Sequence, residues 1–197
     1  MLVANLIFLT ALIAGAMALF HKKSTMENSK SFLVRTAAHE VGHALVAMDS
    51  PAVSDVEEVN ILQASNQSRG FAGVTLIRYR RDHPQYLWES LIVYLAGAAG
   101  EITYMGNMKS VGCKADLLEA LSLARRIIAI SPPTLNRTNF NFDVGQCFKT
   151  SLTIQERYIL NLAYKAARQR ILKKEEVFKT LIIKLMNAGR LNSNELV

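Results

Sequence analysis

Residues 1–20, MLVANLIFLTALIAGAMALF, contain no charged side chain, and no other feature constrains the chain as much. As an α-helix, Leu2 to Phe20 spans about 28 Å, close to the thickness of a bilayer's hydrocarbon core. A cleaved signal peptide would begin with basic residues and carry a shorter apolar stretch. A buried core helix suits a stretch this long and this uniform poorly. The expectation is therefore one N-terminal transmembrane helix. All 23 basic and 16 acidic side chains follow it, and no second uncharged stretch is long enough to span a membrane. The chain divides into a transmembrane anchor over 1–20, a polar linker over 21–31 and one domain over 32–197. Lys22 and Lys23, immediately after the apolar run, place that domain on the cytoplasmic side of a single-pass protein.

Composition removes several classes. Half the residues are hydrophobic, so the chain is not disordered. Two cysteines do not make a disulfide scaffold. The net charge of +7 suits a domain held near an anionic membrane surface. Lys and Arg are scattered and match no nucleic-acid motif, so no nucleic-acid partner is expected.

The domain reads as mainly α with a small β-sheet. Phe32 to Met48 is an Ala-rich helix stopped by Asp49-Ser50-Pro51. Val53–Gln63 and Gly70–Tyr79 are rich in β-branched residues and flank a turn-forming cluster, which predicts a strand pair. A long helix is expected from Asp82-His83-Pro84 to about Tyr104, closed by Gly106, and a third over Ala115–Ile130, ended by Pro132-Pro133. Residues 131–150 look irregular. Thr153 and Glu156 form a capping-box pattern opening a helix to about Leu172. A last helix runs from about Lys174 to Ala188, with Gly189 just beyond it.

The first of these helices carries His39-Glu40-Val41-Gly42-His43, an HExxH sequence. Residues four apart share one helix face, so both imidazoles reach one ion. Zn²⁺ accepts neutral imidazole nitrogen, polarises a carbonyl and acidifies water. Glu40 is offset from the histidines and suits a general base, taking a proton from the attacking water and passing it to the leaving amine. The extended pattern HExxHxxGxxH is not met, because Val46 stands at the glycine position and Asp49 at the last. The third ligand is expected from a later helix, where the candidates are Glu89, Glu101, Asp116 and Glu119.

Several segments, in order, are similar to the FtsH-type membrane-bound zinc metalloproteases. His39–Val46 resembles that family's HEAGHALV helix, and Arg69–Thr75 its PRG-x-ALG-x-T strand. Leu95–Ile102 resembles LAGRAAEE, with Ala98 in place of the arginine, and Ser110–Leu117 resembles TTGA-x-NDL. Arg157 to Leu172 and the stretch from Leu181 are similar to its C-terminal helix pair. The resemblance implies a helical zincin-type peptidase domain with His39, His43 and Asp116 as zinc ligands and Glu40 as catalytic base. Cys113, three residues before Asp116, is either an added thiolate ligand or a small packed side chain. The resemblance also implies that the second strand holds extended substrate through main-chain bonds; the equal alternative is a core strand.

The 197 residues contain no G-x-x-x-x-G-K-[ST], so the ATPase module of that family is not expected here. The function expected is a membrane-anchored zinc metalloendopeptidase, ATP-independent by itself, acting on unfolded or flexible polypeptide. It would work as a homo-oligomer ring or beside a separate ATPase. The alternative is a non-catalytic partner or regulator of a larger protease complex. The cytoplasmic placement carries its own test: native protein on a non-reducing gel is expected to show no Cys113–Cys147 bridge.

Overall fold

The computed structural model describes residues 31–62, 73–108, 112–135, 143–148 and 151–196. The expected anchor over 1–20 and nearly all of the linker lie outside these residues. Among the described residues, no helix is long and apolar enough to cross a membrane.

Helix α1 covers 31–48, and every residue from Thr36 to Ala47 is buried. It is the central helix, and its run of Ala and Gly lets neighbours pack from all sides. A turn at Ser50, whose amide donates to Ala47 O (2.9 Å), leads into the sheet. Strand β1 (Val53–Asn60) is central, with β2 (Val74–Tyr79) on one edge and a short β3 (Arg190–Asn192) on the other. Both pairings are antiparallel, with Val59 opposite Thr75 on one side and Leu191 on the other. In β1 the buried valines, Val53, Val56 and Val59, recur every third residue. Two irregularities in the β1–β2 register, between Val53 and Asp55 and between Val56 and Glu58, reset the alternation of two that an unbroken strand would show.

Four further helices complete the domain: α2 (Tyr86–Met105), α3 (Gly112–Ile130), α4 (Ile154–Lys173) and α5 (Glu175–Ala188). Helix α2 packs against both α3 and α4. The capping box on α4 is complete: Glu156 N donates to Thr153 Oγ1 (3.1 Å), and Thr153 N donates to Glu156 Oε2 (2.7 Å). Helix α5 buries Phe178, Leu181, Ile182 and Leu185, a helical stripe. It closes on Gly189 at φ 75°, a left-handed conformation that favours glycine.

The mainly α fold with a small sheet is observed, with differences at the ends of elements. Helix α2 begins at Tyr86, because Pro84 lies in a turn in which Tyr86 N donates to His83 O (2.9 Å). Strand β1 ends at Asn60, where the side-chain oxygen accepts from Leu62 N (2.8 Å) and turns the chain. The irregular stretch contains a 3-10 turn at Val144–Cys147. Strand β3 was not expected, since three residues are too few to carry a periodicity.

One buried ion pair ties α2 to α4. Arg170 donates to both oxygens of Glu89 (2.7 and 2.8 Å), and Glu89 is only 4% exposed. Burial pushes the Glu89 carboxyl up, but hydrogen bonds from Arg170 and Ser50 outweigh it and hold the group below its ordinary value. Its contribution is therefore fully present above the unfolded value of about 4.3 and is lost as pH falls through the depressed folded value. Arg170→Gln strands a buried carboxylate and is expected to cost about 3 kcal/mol at neutral pH. In urea titrations, the gap between wild type and variant should narrow as pH drops below about 4.

Candidate metal centre

Helices α1 and α2 touch through their backbones. A Cβ built on Gly42 would lie 2.5 Å from Ala96 O, and one on Gly100 would lie 2.4 Å from Ala38 O. This close approach brings the imidazoles of His39 and His43 directly against Gly97. A Cβ there would stand 2.5 Å from His39 Cε1 and from His43 Nε2. The two rings meet edge to face with centroids 4.7 Å apart.

Each ring has its outer nitrogen committed. His43 Nδ1 lies 2.7 Å from Val93 O, and a carbonyl can only accept, so Nδ1 carries the proton. His39 Nδ1 lies 3.0 Å from Glu101 Oε1, again an acceptor. In these neutral tautomers both Nε2 atoms are bare lone pairs, and they sit 3.1 Å apart. Asp116, from the first turn and a half of α3, adds a third acceptor. Its Oδ2 is 2.9 Å from His39 Nε2 and 3.1 Å from His43 Nε2. Three acceptors facing one point repel unless a proton or cation lies among them. Their spacing is close to the edge of about 3.3 Å expected for a tetrahedron with bonds of about 2.0–2.1 Å. Two imidazole nitrogens and one carboxylate oxygen facing one point are a donor set that fits a zinc ion.

The electrostatics agree. Burial lowers the basicity of His39, but hydrogen bonds to Asp116, Cys113 and Glu101 overcome it and hold the imidazole well above its ordinary pKa. Burial pushes the Asp116 carboxyl up, yet the positive charge of a protonated His43 and the hydrogen bonds that a protonated Nε2 on either histidine donates carry it well below the usual carboxylate range. The cluster thus favours positive charge at its centre.

Glu40 is buried on the adjacent face. Its Oε2 lies 2.7 Å from Thr75 Oγ1 on β2, and the same hydroxyl is 3.0 Å from Glu40 O. Gly73 leaves space for it, since a Cβ there would lie 2.9 Å from Glu40 Oε1. Strand β2 is at the sheet edge, and its outer side has no strand partner among the described residues.

The other acidic candidates separate. Glu101, fully buried, is on the Nδ1 side of His39, where Arg35 Nη1 also holds it (3.2 Å). Glu89 belongs to the Arg170 pair, Glu119 is exposed on α3, and Asp49 pairs with Lys174. Cys113 is 2% exposed, with Sγ 3.0 Å from Glu101 Oε1, on the far side of His39 from Asp116. Both cysteines are free thiols. The sequence reading missed three supports: Gly97, Arg35 and the Val93 carbonyl. Gly97 had a signal in the run of small residues around it, whereas a main-chain carbonyl leaves none.

Comparison with known proteins follows the same residues. The model of Peptidase family M41 matches residues 25–130. The chain is 38% identical over 98 residues to the ATP-dependent zinc metalloprotease FtsH 2 of Sorangium cellulosum, covering 47% of this chain and 15% of that protein. It is 33% identical over 123 residues to the ATP-dependent zinc metalloprotease FtsH of Pseudomonas putida, covering 60% and 19%. The match thus spans less than a fifth of these curated relatives. Gly97→Ala is the sharpest test of the cradle. It is expected to weaken zinc affinity about 10- to 100-fold in a chelator competition while the helical circular dichroism is retained.

Proposed function

This chain belongs to peptidase family M41, and from that premise we propose that it is a zinc metallopeptidase that cuts unfolded or flexible polypeptide. The observation that supports this most strongly is the convergence of His39 Nε2, His43 Nε2 and Asp116 Oδ2, each pair within 3.1 Å, beside a carboxylate outside that set. His39, His43 and Asp116 hold the ion. When bound, zinc acidifies a water and polarises a carbonyl.

The chain's own residues do the remaining work. Glu101 and the Val93 carbonyl each accept a hydrogen bond from an Nδ1–H, which turns both Nε2 lone pairs inward. Glu40 serves as general base, taking a proton from the attacking water and delivering it to the leaving amine. Thr75 fixes the orientation of that carboxylate. The outer edge of β2 receives substrate as an added strand, so recognition runs largely through main-chain bonds and tolerates many sequences. A polypeptide must be extended to bind this way, which is why the substrate is unfolded or flexible.

The proposal includes the anchor over 1–20, with the peptidase unit over 32–197 on the cytoplasmic side. Cutting by this peptidase unit is proposed to proceed without ATP. A ring of copies or a separate ATPase would then govern delivery.

The test compares wild type with Glu40→Gln on casein, without ATP. Wild type is expected to contain about one zinc per chain and to cut. Glu40→Gln should keep the metal and lose at least about 100-fold in rate, and His39→Ala should lose the metal. Equal cutting by Glu40→Gln would remove Glu40 as base. A zinc-loaded wild type that cuts nothing would favour a non-catalytic partner of a larger protease.

A further inference from the structure

A cavity of about 490 Å³ opens beside the N-terminus of α2, lined by Arg81, His83, Pro84, Tyr86, Leu87 and Arg126. It has no part in holding the metal. Its charge is one-sided. Arg81 and Arg126 are exposed and neither makes an ion pair among the described residues. Two neighbouring arginines behave differently: Arg125 is held by Glu156 (2.6 Å) and Arg170 by Glu89. Asp82 is not part of the lining. His83 Nδ1 accepts from Gln85 N (3.2 Å), which leaves its Nε2–H as a donor. The first turn of α2 also has no side-chain cap. Every polar side chain in the lining can donate, and no carboxylate is there to receive.

The cavity lies on the course that substrate would take. Strand β2 runs from Thr75, beside Glu40, to Tyr79, and the chain then enters the cavity wall at Arg81. Tyr79 and Tyr86 stack edge to face at 5.8 Å and join the strand end to the cavity. Along α2, Val93, whose carbonyl holds His43, is six residues from Leu87, about 9 Å. Along α3, Asp116 is ten residues from Arg126, about 15 Å. An extended polypeptide advances about 3.3 Å per residue, so these spans correspond to roughly three to five residues.

We propose that this cavity is a subsite for an acidic side chain of the polypeptide substrate, about three to five residues from the bond that is cut. It rests on the peptidase reading and adds a selectivity that main-chain pairing on β2 does not supply. Two guanidinium charges in a lining without a carboxylate favour an anionic side chain, and the metal centre itself is untouched.

The experiment measures binding, so it does not depend on turnover. Fluorescein-labelled peptides, acetylated and amidated at their ends, carry one Glu moved a position at a time, each with a Gln counterpart. They are titrated by anisotropy into the zinc-loaded full chain carrying Glu40→Gln. At one or two adjacent positions Glu is expected to bind about five- to tenfold more tightly than Gln. Adding Arg81→Gln and Arg126→Gln should erase that preference, and the charge-retaining pair Arg81→Lys and Arg126→Lys should keep most of it. Equal affinities at every position would overturn the proposal. So would a preference that survives the glutamine variants. Loss of the preference while wild type still cuts casein sinks the subsite alone. A preference retained by a protein whose wild type cuts nothing sinks the peptidase reading alone.

Discussion

The rest of the structure depends on the contact between α1 and α2, which meet with no side chain between them. Gly42 faces Ala96 O and Gly100 faces Ala38 O at distances that no Cβ could share. Because the backbones are this close, two imidazoles from α1 can fit against α2 only where α2 has a glycine, and Gly97 is that place. The same closeness puts the Val93 carbonyl and the Glu101 carboxylate within hydrogen-bond reach of the two Nδ1 atoms. One steric condition therefore sets the position, tautomer and facing direction of both histidines. Asp116 needs only the α2–α3 hairpin to swing its carboxylate into the gap.

Around that contact the charges are graded. Arg35 neutralises Glu101, Glu101 holds His39, and His39 with His43 draws Asp116 far below the usual carboxylate range. A cation at the centre completes the alternation of sign. Cys113 occupies the Nδ1 side of this chain of contacts, packed against Glu101 rather than aimed at the centre. That placement suits a packed thiol that supports Glu101.

Glu40 depends on the sheet, and the sheet depends on the C-terminus. Thr75 can hold the Glu40 carboxylate because β2 lies along α1, and β2 is set by β1, whose other edge is closed by β3 from the end of the chain. Residues 190–192 pair with one edge of β1, and among the described residues the outer edge of β2 has no strand partner. An open edge is a liability for a folded protein unless it has a use. The use proposed for it is pairing with an extended polypeptide, with Glu40 on one side and the Arg81–Arg126 cavity further along.

By itself the sequence determined the local elements and the residue types of the centre. The helical stretches, the capping box at Thr153, the stop at Gly189 and the strand pair follow from periodicity and end signals that act within a few residues. HExxH places two imidazoles on one helix face for the same reason, because four residues make about one turn. Choosing among Glu89, Glu101, Asp116 and Glu119 was different. Residue chemistry left all four open, and Asp116 was favoured by resemblance alone. Only the tertiary structure put Asp116 at the Nε2 side, Glu101 at the Nδ1 side, Glu89 in a distant ion pair and Glu119 in solvent. The physical reason is that a carboxylate's role is set by which lone pairs and charges it meets across the fold. Those meetings depend on how closely α1 and α2 approach, a distance that no local pattern encodes.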